Sequence, residues 1–130
     1  MTAVLDAWAI VAYLKNEPAA PRVEDLIRKG SAVASDVNVG EVLYSLTRTH
    51  GPKRAEDLVR AVRPSLRCER PDWALVRTAA RIKAGNRLSY ADSFVVATAQ
   101  RHSAPLYTGD PEIVALGDLV EVVDLRKEIV

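Results

Sequence analysis

Four acidic residues stand at positions where this sequence could build a chemical site: Asp6, Glu41, Asp92 and Asp110. Asp6 and Asp110 each follow a short apolar run of the kind that forms a buried strand. Glu41 lies one to two turns into a predicted helix, and Asp92 lies in the first turn of another. Strand ends and helix N-termini meet at the carboxyl edge of a parallel sheet, where ligands bind. The four carboxylates are therefore expected to lie close together.

Such a group of acids predicts a bound cation. Four carboxylates within a few ångströms repel one another, and they stay ionised at low cost only if a cation neutralises them. Hard oxygen ligands without histidine or cysteine suit Mg²⁺ or Mn²⁺. A metal held by few carboxylates and several waters commonly acts on phosphate esters, because it activates water, orients the phosphate and stabilises developing charge. Four acids are compatible with one ion or with two.

Each acid also has a purely structural interpretation. Asp6 can be the N-cap of the helix that follows it, and Asp110, which precedes a proline, can be another N-cap. Ser89 and Asp92 match a capping box. Glu41 lies about 150° from the centre of the apolar stripe of its own helix, so it points into solvent or into a cleft. One acid alone fits its structural interpretation, whereas the set of four favours a cation site.

The elements that must position these acids alternate along the chain. Strands are predicted at 3–5, 32–34, 66–68, 105–108 and 120–125, and helices at 7–15, 21–29, 36–49, 53–63, 72–84, 90–102 and 111–116. Alternating strands and helices predict an α/β domain with a mostly parallel sheet flanked by helices. The body of helix 90–102 is apolar on nearly all sides, which is typical of a buried central helix.

Composition narrows the class of protein. With 130 residues and 48% apolar content, the chain is expected to form one domain, residues 1–130. A single cysteine excludes an internal disulfide, and no apolar run reaches the roughly 18 residues of a membrane span. The N-terminal apolar run carries Asp6 and lacks a positively charged start, so it is not expected to be a signal peptide. We therefore expect a cytoplasmic protein.

Charge is distributed unevenly. Residues 48–87 hold eleven Lys and Arg against four acids, whereas the remainder holds seven against thirteen. A basic part and an acidic part in one small domain are compatible with a polyanion held near cations, although solvated helix faces give the same pattern. Only 5% of residues are aromatic, so a base-stacking platform is not expected.

The stretches around the acids resemble a known family. They are Val4-Leu5-Asp6-Ala7, Val37-Asn38-Val39-Gly40-Glu41-Val42, Leu88-Ser89-Tyr90-Ala91-Asp92-Ser93-Phe94 and Leu106-Tyr107-Thr108-Gly109-Asp110-Pro111. In order, spacing and total length, they resemble the PIN domain, specifically the VapC-type ribonuclease toxins of bacterial toxin–antitoxin pairs. The resemblance implies a three-layer α/β/α sandwich with a mostly parallel sheet. It also implies an Mg²⁺- or Mn²⁺-dependent endoribonuclease, usually a homodimer, that a cognate antitoxin inhibits.

By motif position, the resemblance makes Asp6, Glu41, Asp92 and Asp110 the catalytic and metal-binding acids, with Thr108 as a polar neighbour. If the substrate is RNA, the candidates for binding its phosphate backbone are the basic residues Arg48, Lys53, Arg54 and Arg87. Specificity would then come from RNA shape and loops.

One position departs from the family pattern. Many members carry a small hydroxyl residue two places after the first Asp, where this chain has Trp8. Either Trp8 points away into packing, or the protein does without that hydroxyl. The other tryptophan, Trp73, is expected in the core or in an interface.

Two other classes of protein compete with a nuclease. A signalling receiver-like domain has a second acid after its first strand and a lysine after a late strand. Here Asp6 stands alone, and Thr108-Gly109-Asp110 offers no lysine. A non-catalytic binding module of the same fold is the other alternative, and the complete set of acids argues against it.

Overall fold

The computed structural model describes residues 1–127, so the last three positions of the predicted domain lie outside the described residues. Within that range, five strands alternate with seven helices. The strands are β1 (Ala3–Leu5), β2 (Ala32–Ser35), β3 (Arg67–Glu69), β4 (Leu106–Thr108) and β5 (Val122–Asp124). The helices are α1 (Ala7–Leu14), α2 (Ala20–Arg28), α3 (Asp36–His50), α4 (Pro52–Val62), α5 (Trp73–Gly85), α6 (Tyr90–His102) and α7 (Pro111–Val114).

The strands form one sheet with β1 at its centre. Their order is β3-β2-β1-β4-β5, and every neighbouring pair runs parallel. Val4 of β1 lies opposite Val33 on one side and Leu106 on the other. The alternation of strands and helices in the sequence therefore predicted the parallel sheet correctly, and the central position of β1 places Asp6 in the middle of the carboxyl edge.

Helices cover both faces of this sheet. Ala3 and Leu5 of β1 pack in a core that includes residues from α1, α2, α3 and α4, whereas Val4 between them packs in a second core with α5 and α6. Successive side chains of a strand point to opposite faces, so the two cores lie on opposite sides of the sheet. The predicted three-layer α/β/α sandwich is confirmed. No helix in residues 1–127 has the length and apolarity to cross a membrane.

Side-chain caps begin most of the helices that border the acidic edge. Asp6 caps α1 and accepts a hydrogen bond from the backbone of Ala9, and Ser35 caps α3. Ser89 caps α6, and Asp110 caps α7. These caps fix where each helix starts, because they satisfy backbone N–H groups that have no partner within the helix. Helix α6 then runs through the second core, and its residues 92–99 are all buried, as its sequence predicts.

Candidate active site

The structure brings the four predicted acids to one edge of the sheet. Asp6 directly follows β1, and Asp110 lies just past β4, the neighbour of β1. Asp92 enters from the first turn of α6, and Glu41 from the second turn of α3. The negative charges of Asp92 and Asp110 raise the pKa of Asp6, and those of Asp110 and Glu41 raise the pKa of Asp92. All four carboxylates therefore interact electrostatically.

Asp6 is almost fully buried, with 2% of its surface exposed. Its Oδ1 accepts a hydrogen bond of 2.9 Å from the Ala9 N–H, and its Oδ2 accepts one from the Thr108 hydroxyl. Burial raises the pKa of Asp6 to about 7, against the lowering effect of these two hydrogen bonds. The N-cap interpretation is thus correct as geometry, but it accounts for only one of the two carboxylate oxygens.

Thr108 connects two of the acids. Its hydroxyl donates to Asp6, and its Oγ1 accepts a hydrogen bond of 2.9 Å from the N–H of Asp110. Asp110 in turn accepts a hydrogen bond of 2.9 Å from the N–H of Glu112 through Oδ1. A buried hydroxyl therefore fixes both the Asp6 carboxylate and the backbone that carries Asp110.

Asp92 combines burial with like charge. Burial raises the pKa of Asp92 to about 7, together with the negative charges of Asp110 and Glu41. A hydrogen bond with the Ser89 side chain lowers this pKa. The Asp92 N–H donates to the Ser89 Oγ over 3.0 Å. Among the described residues, the Ser89 N–H donates no hydrogen bond to the Asp92 carboxylate, so only half of the predicted capping box forms. The Asp92 carboxylate is close enough to Asp110 and Glu41 for their charges to act on its pKa.

Glu41 is half-buried and faces a cleft. It lines a groove of about 250 Å³ between α1 and α3, together with Trp8 and Tyr44. Burial raises the pKa of Glu41, a hydrogen bond from Asn38 lowers it, and the charge of Asp110 raises it. Of the two directions predicted for this side chain, solvent or a cleft, the structure shows the cleft.

Asn38 is a site residue that sequence reasoning missed. It is fully buried, and its Nδ2 donates to Glu41 Oε1 and to the carbonyl of Ala91, each over 2.9 Å. Its Oδ1 is buried without a hydrogen-bond partner in the described chain. Because both contacted atoms are acceptors, the amide nitrogen must face them. The available signal was a polar residue beside the apolar stripe of α3, one turn before Glu41.

Trp8 points into packing, which is the first of the two alternatives at that position. The indole is half-buried and packs against the first core. It also lies against Gly109, where a β-carbon would collide with the ring. Gly109 therefore allows the segment that carries Asp110 to lie close to α1. Trp73, by contrast, is 72% exposed, so the expectation of a core position is wrong and an interface role stays a prediction.

The predicted RNA-binding residues lie in two places. Arg48, Lys53 and Arg54 are exposed around the corner between α3 and α4, with Arg48 about 10 Å along α3 from Glu41. Lys53 forms an ion pair of 3.5 Å with Asp57. Arg87 is exposed in the loop between α5 and α6, two residues before the Ser89 cap. The structure therefore does not gather these four cations into one patch.

The donor chemistry of the acidic edge suits a hard divalent cation. In the described part of the chain, none of the four carboxylates forms an ion pair. Arg126 interacts electrostatically with Asp110, but its ion pair, at 3.0 Å, is with Asp124. Across residues 1–127, no group of three or more His, Cys, Asp or Glu side chains is arranged so that it could hold a metal ion directly. The four side chains offer only carboxylate oxygens, which are the type of donor that Mg²⁺ prefers.

The fold and the acidic edge together define a class of protein. Its members are α/β sandwiches with a parallel sheet and with electrostatically interacting carboxylates at the carboxyl ends of the central strands. The family model of the PIN domain matches residues 3–119. The chain belongs to the PIN domain family, as the resemblance of its motifs predicted. None of the curated proteins matches the sequence significantly.

Solved structures share the fold at low sequence identity. VapBC2 from Rickettsia felis, bound to a DNA fragment from its promoter, superposes with a TM-score of 0.78 at 12% identity over 95% of this chain and 98% of that one. VapC20 from Mycobacterium tuberculosis, a toxin that cleaves the Sarcin-Ricin loop, has a TM-score of 0.73 at 18% identity over 89% and 95%. FitAcB from Neisseria gonorrhoeae has a TM-score of 0.74 at 21% identity over 96% and 99%.

Proposed function

We propose that this protein is an Mg²⁺- or Mn²⁺-dependent endoribonuclease and the toxin of a toxin–antitoxin pair. The observation that carries the proposal is the electrostatic coupling of four carboxylates, two of them buried with a pKa near 7, at the carboxyl edge of a PIN-family sheet. Buried like charges without a cationic partner are costly, and a divalent metal removes that cost. The similarity to VapC20 supports RNA as the substrate.

In this proposal, Asp6, Glu41, Asp92 and Asp110 are the catalytic acids that hold the metal. When bound, the metal supplies an activated water and stabilises the charge that develops on the cleaved phosphodiester. Thr108 holds the Asp6 carboxylate in place and fixes the backbone at Asp110. Because the pKa of Asp6 and that of Asp92 are raised to about 7, chiefly by burial, both carboxyls are partly protonated at neutral pH without a cation, and metal binding displaces those protons.

The remaining assignments follow the same proposal. Arg48, Lys53, Arg54 and Arg87 contact the RNA backbone, since their charges sit on exposed surface on two sides of the molecule. The chain acts in the cytoplasm as a single nuclease domain, residues 1–130, and as a homodimer. A cognate antitoxin inhibits it, and the similarity to the VapBC2 toxin–antitoxin structure supports such a partner.

The direct test is cleavage of a panel of structured RNAs by the purified full chain. We expect endonucleolytic products with Mg²⁺ or Mn²⁺ and none when EDTA is present. Products should also vanish when the cognate antitoxin is added in excess. Cleavage that persists in EDTA after dialysis would contradict the metal requirement, and metal-dependent cleavage of DNA in preference to RNA would contradict the substrate.

Asn38 provides a second test, because it positions Glu41 without being an acid itself. We expect Asn38→Asp to lower Mn²⁺ affinity and the cleavage rate by roughly 10- to 100-fold, the usual effect of removing a residue that orients a metal ligand. The variant keeps the shape of the side chain but turns an oxygen towards two acceptors. Affinity is measured by calorimetry and rate by single-turnover cleavage. Asn16→Asp is the control, since it makes the same chemical change at an exposed position in the loop after α1.

A further inference from the structure

A hollow of about 780 Å³ lies beside the acidic edge, between the end of α5, the loop that follows it and α7. Two cations, Lys83 and Arg87, line one wall, while Ser89 and Glu112 line the side nearer the acids. Ser89 is the cap of the helix that carries Asp92. The hollow therefore opens directly next to the proposed catalytic site, and its volume lies in the range of small-ligand sites, roughly 300–1,000 Å³.

The loop fixes Arg87 in this hollow. On one side of it, Asn86 donates a hydrogen bond of 3.0 Å to the carbonyl of Ile82, which ties the loop to the last turn of α5. On the other side, Leu88 is buried in the second core with only 5% of its surface exposed. Arg87, which lies between them, is exposed. Its place on the surface is thus set by its neighbours.

The hollow has two cations on the side of α5 and its loop, and an acid on the side of α7. Over the described range, neither Lys83 nor Arg87 forms an ion pair, so both cations are available to a ligand. Glu112, on the opposite wall, interacts electrostatically with Asp92. One side of the hollow is therefore continuous with the acidic edge, and the other side attracts anions. A strand that lies across the acids with its phosphates towards Lys83 and Arg87 satisfies both sides.

We propose that Lys83 and Arg87 form a phosphodiester-binding subsite for the RNA strand next to the bond that is cut. The subsite rests on the proposed function for its phosphodiester substrate, whereas its preference for an anion follows from the two cations that line the hollow. The subsite adds Lys83 to the proposed RNA contacts. It also assigns Arg87 to a different binding region from Arg48, Lys53 and Arg54, which lie around the corner between α3 and α4. The strand thus has a defined path from the acids towards the loop between α5 and α6.

The test is the salt dependence of RNA binding, measured by fluorescence anisotropy with labelled single-stranded RNA and the full chain in EDTA, where no cleavage is expected. The variant Lys83→Gln/Arg87→Gln should weaken binding and reduce the slope of log affinity against log salt by about 1.4, or roughly 0.7 for each lost phosphate contact. The matched control is Arg77→Gln/Arg81→Gln, which removes the same charge from exposed positions on the same helix. It should leave the slope unchanged.

Three outcomes overturn the subsite. They are an unchanged slope in Lys83→Gln/Arg87→Gln, an equal reduction in the control, and weaker binding of the cognate antitoxin with RNA binding intact, which makes the hollow a protein-docking surface. Failure of the proposed function is distinguishable, because it is read from cleavage and the subsite is read from binding. A chain that cleaves no RNA but shows the reduced slope retains the subsite and loses the nuclease assignment.

Discussion

Replacing Asp6 or Asp92 by Asn should lower metal-dependent RNA cleavage by on the order of 10³-fold or more, a loss of about 4 kcal/mol of transition-state stabilisation. The amide keeps the size and shape of the side chain but lacks the charge that a metal needs. The fold should survive, because Asn is as good an N-cap as Asp at position 6, and the cap bond at position 92 comes from its backbone N–H. Single-turnover cleavage and urea unfolding measure the two effects.

Asp72→Asn is the matched control for these substitutions. Asp72 caps α5 with the same geometry that Asp6 has at α1, through a hydrogen bond of 2.8 Å from the Leu75 N–H. It is exposed and belongs to an ion pair with Arg101, away from the acidic edge. The control should therefore retain cleavage. Full activity in both Asp6→Asn and Asp92→Asn would exclude the metal site, and unfolding of both would favour caps as their sole role.

The second large effect is a loss of stability as pH rises in the absence of metal. In the folded state the pKa of Asp6 and that of Asp92 are about 7, whereas the ordinary value is 3.8. Between these values the folded protein holds protons that the unfolded chain releases. The stabilisation is therefore complete below about pH 4 and is lost by about pH 7, on the order of 4 kcal/mol for one such group. Urea unfolding in EDTA across this range measures it.

Two comparisons isolate the acidic edge from other titrating groups. Asp6→Asn should remove roughly half of the dependence between pH 4 and 7, because the amide does not titrate while Asp92 still does. Mn²⁺ at about 100 times its dissociation constant should add about 2.7 kcal/mol at pH 7.5, a rise of roughly 10 °C in melting temperature, and much less at pH 5, where protons compete. A wild-type profile that rises with pH in EDTA would contradict the burial of these carboxyls in protonated form.

The sequence predicts the strands, helices and parallel sheet of this protein well, because the patterns that specify them are local in the sequence. Short apolar runs separated by amphipathic helices specify buried parallel strands, and the carboxyl edge of such a sheet is a consequence of its connectivity. Asp6 and Asp110 could therefore be placed near each other from their neighbours alone. The same reasoning places Glu41 and Asp92 less directly, through helices whose packing angle the sequence does not state.

The features that sequence reasoning missed depend on distant partners. Asn38 contacts the carbonyl of Ala91, which lies 53 positions further along the chain. Trp8 is held against Gly109, so its direction follows from the close approach of two segments. The basic residues show the same limit, since charge on exposed helices does not reveal where they lie relative to the acids. Arg87 is beside the site, whereas Arg54 is at the corner of α3 and α4.

The hydrogen bond between Thr108 and Asp6 bears on how the protein is made. Asp6 leaves the ribosome well before its hydroxyl partner, which is synthesised 102 positions later. The strand that carries Thr108 must also insert beside β1 before the central edge exists. Pairings so distant in sequence form late in folding. A growing chain with the proposed activity is therefore unable to cleave RNA until β4 has been translated and has paired with β1.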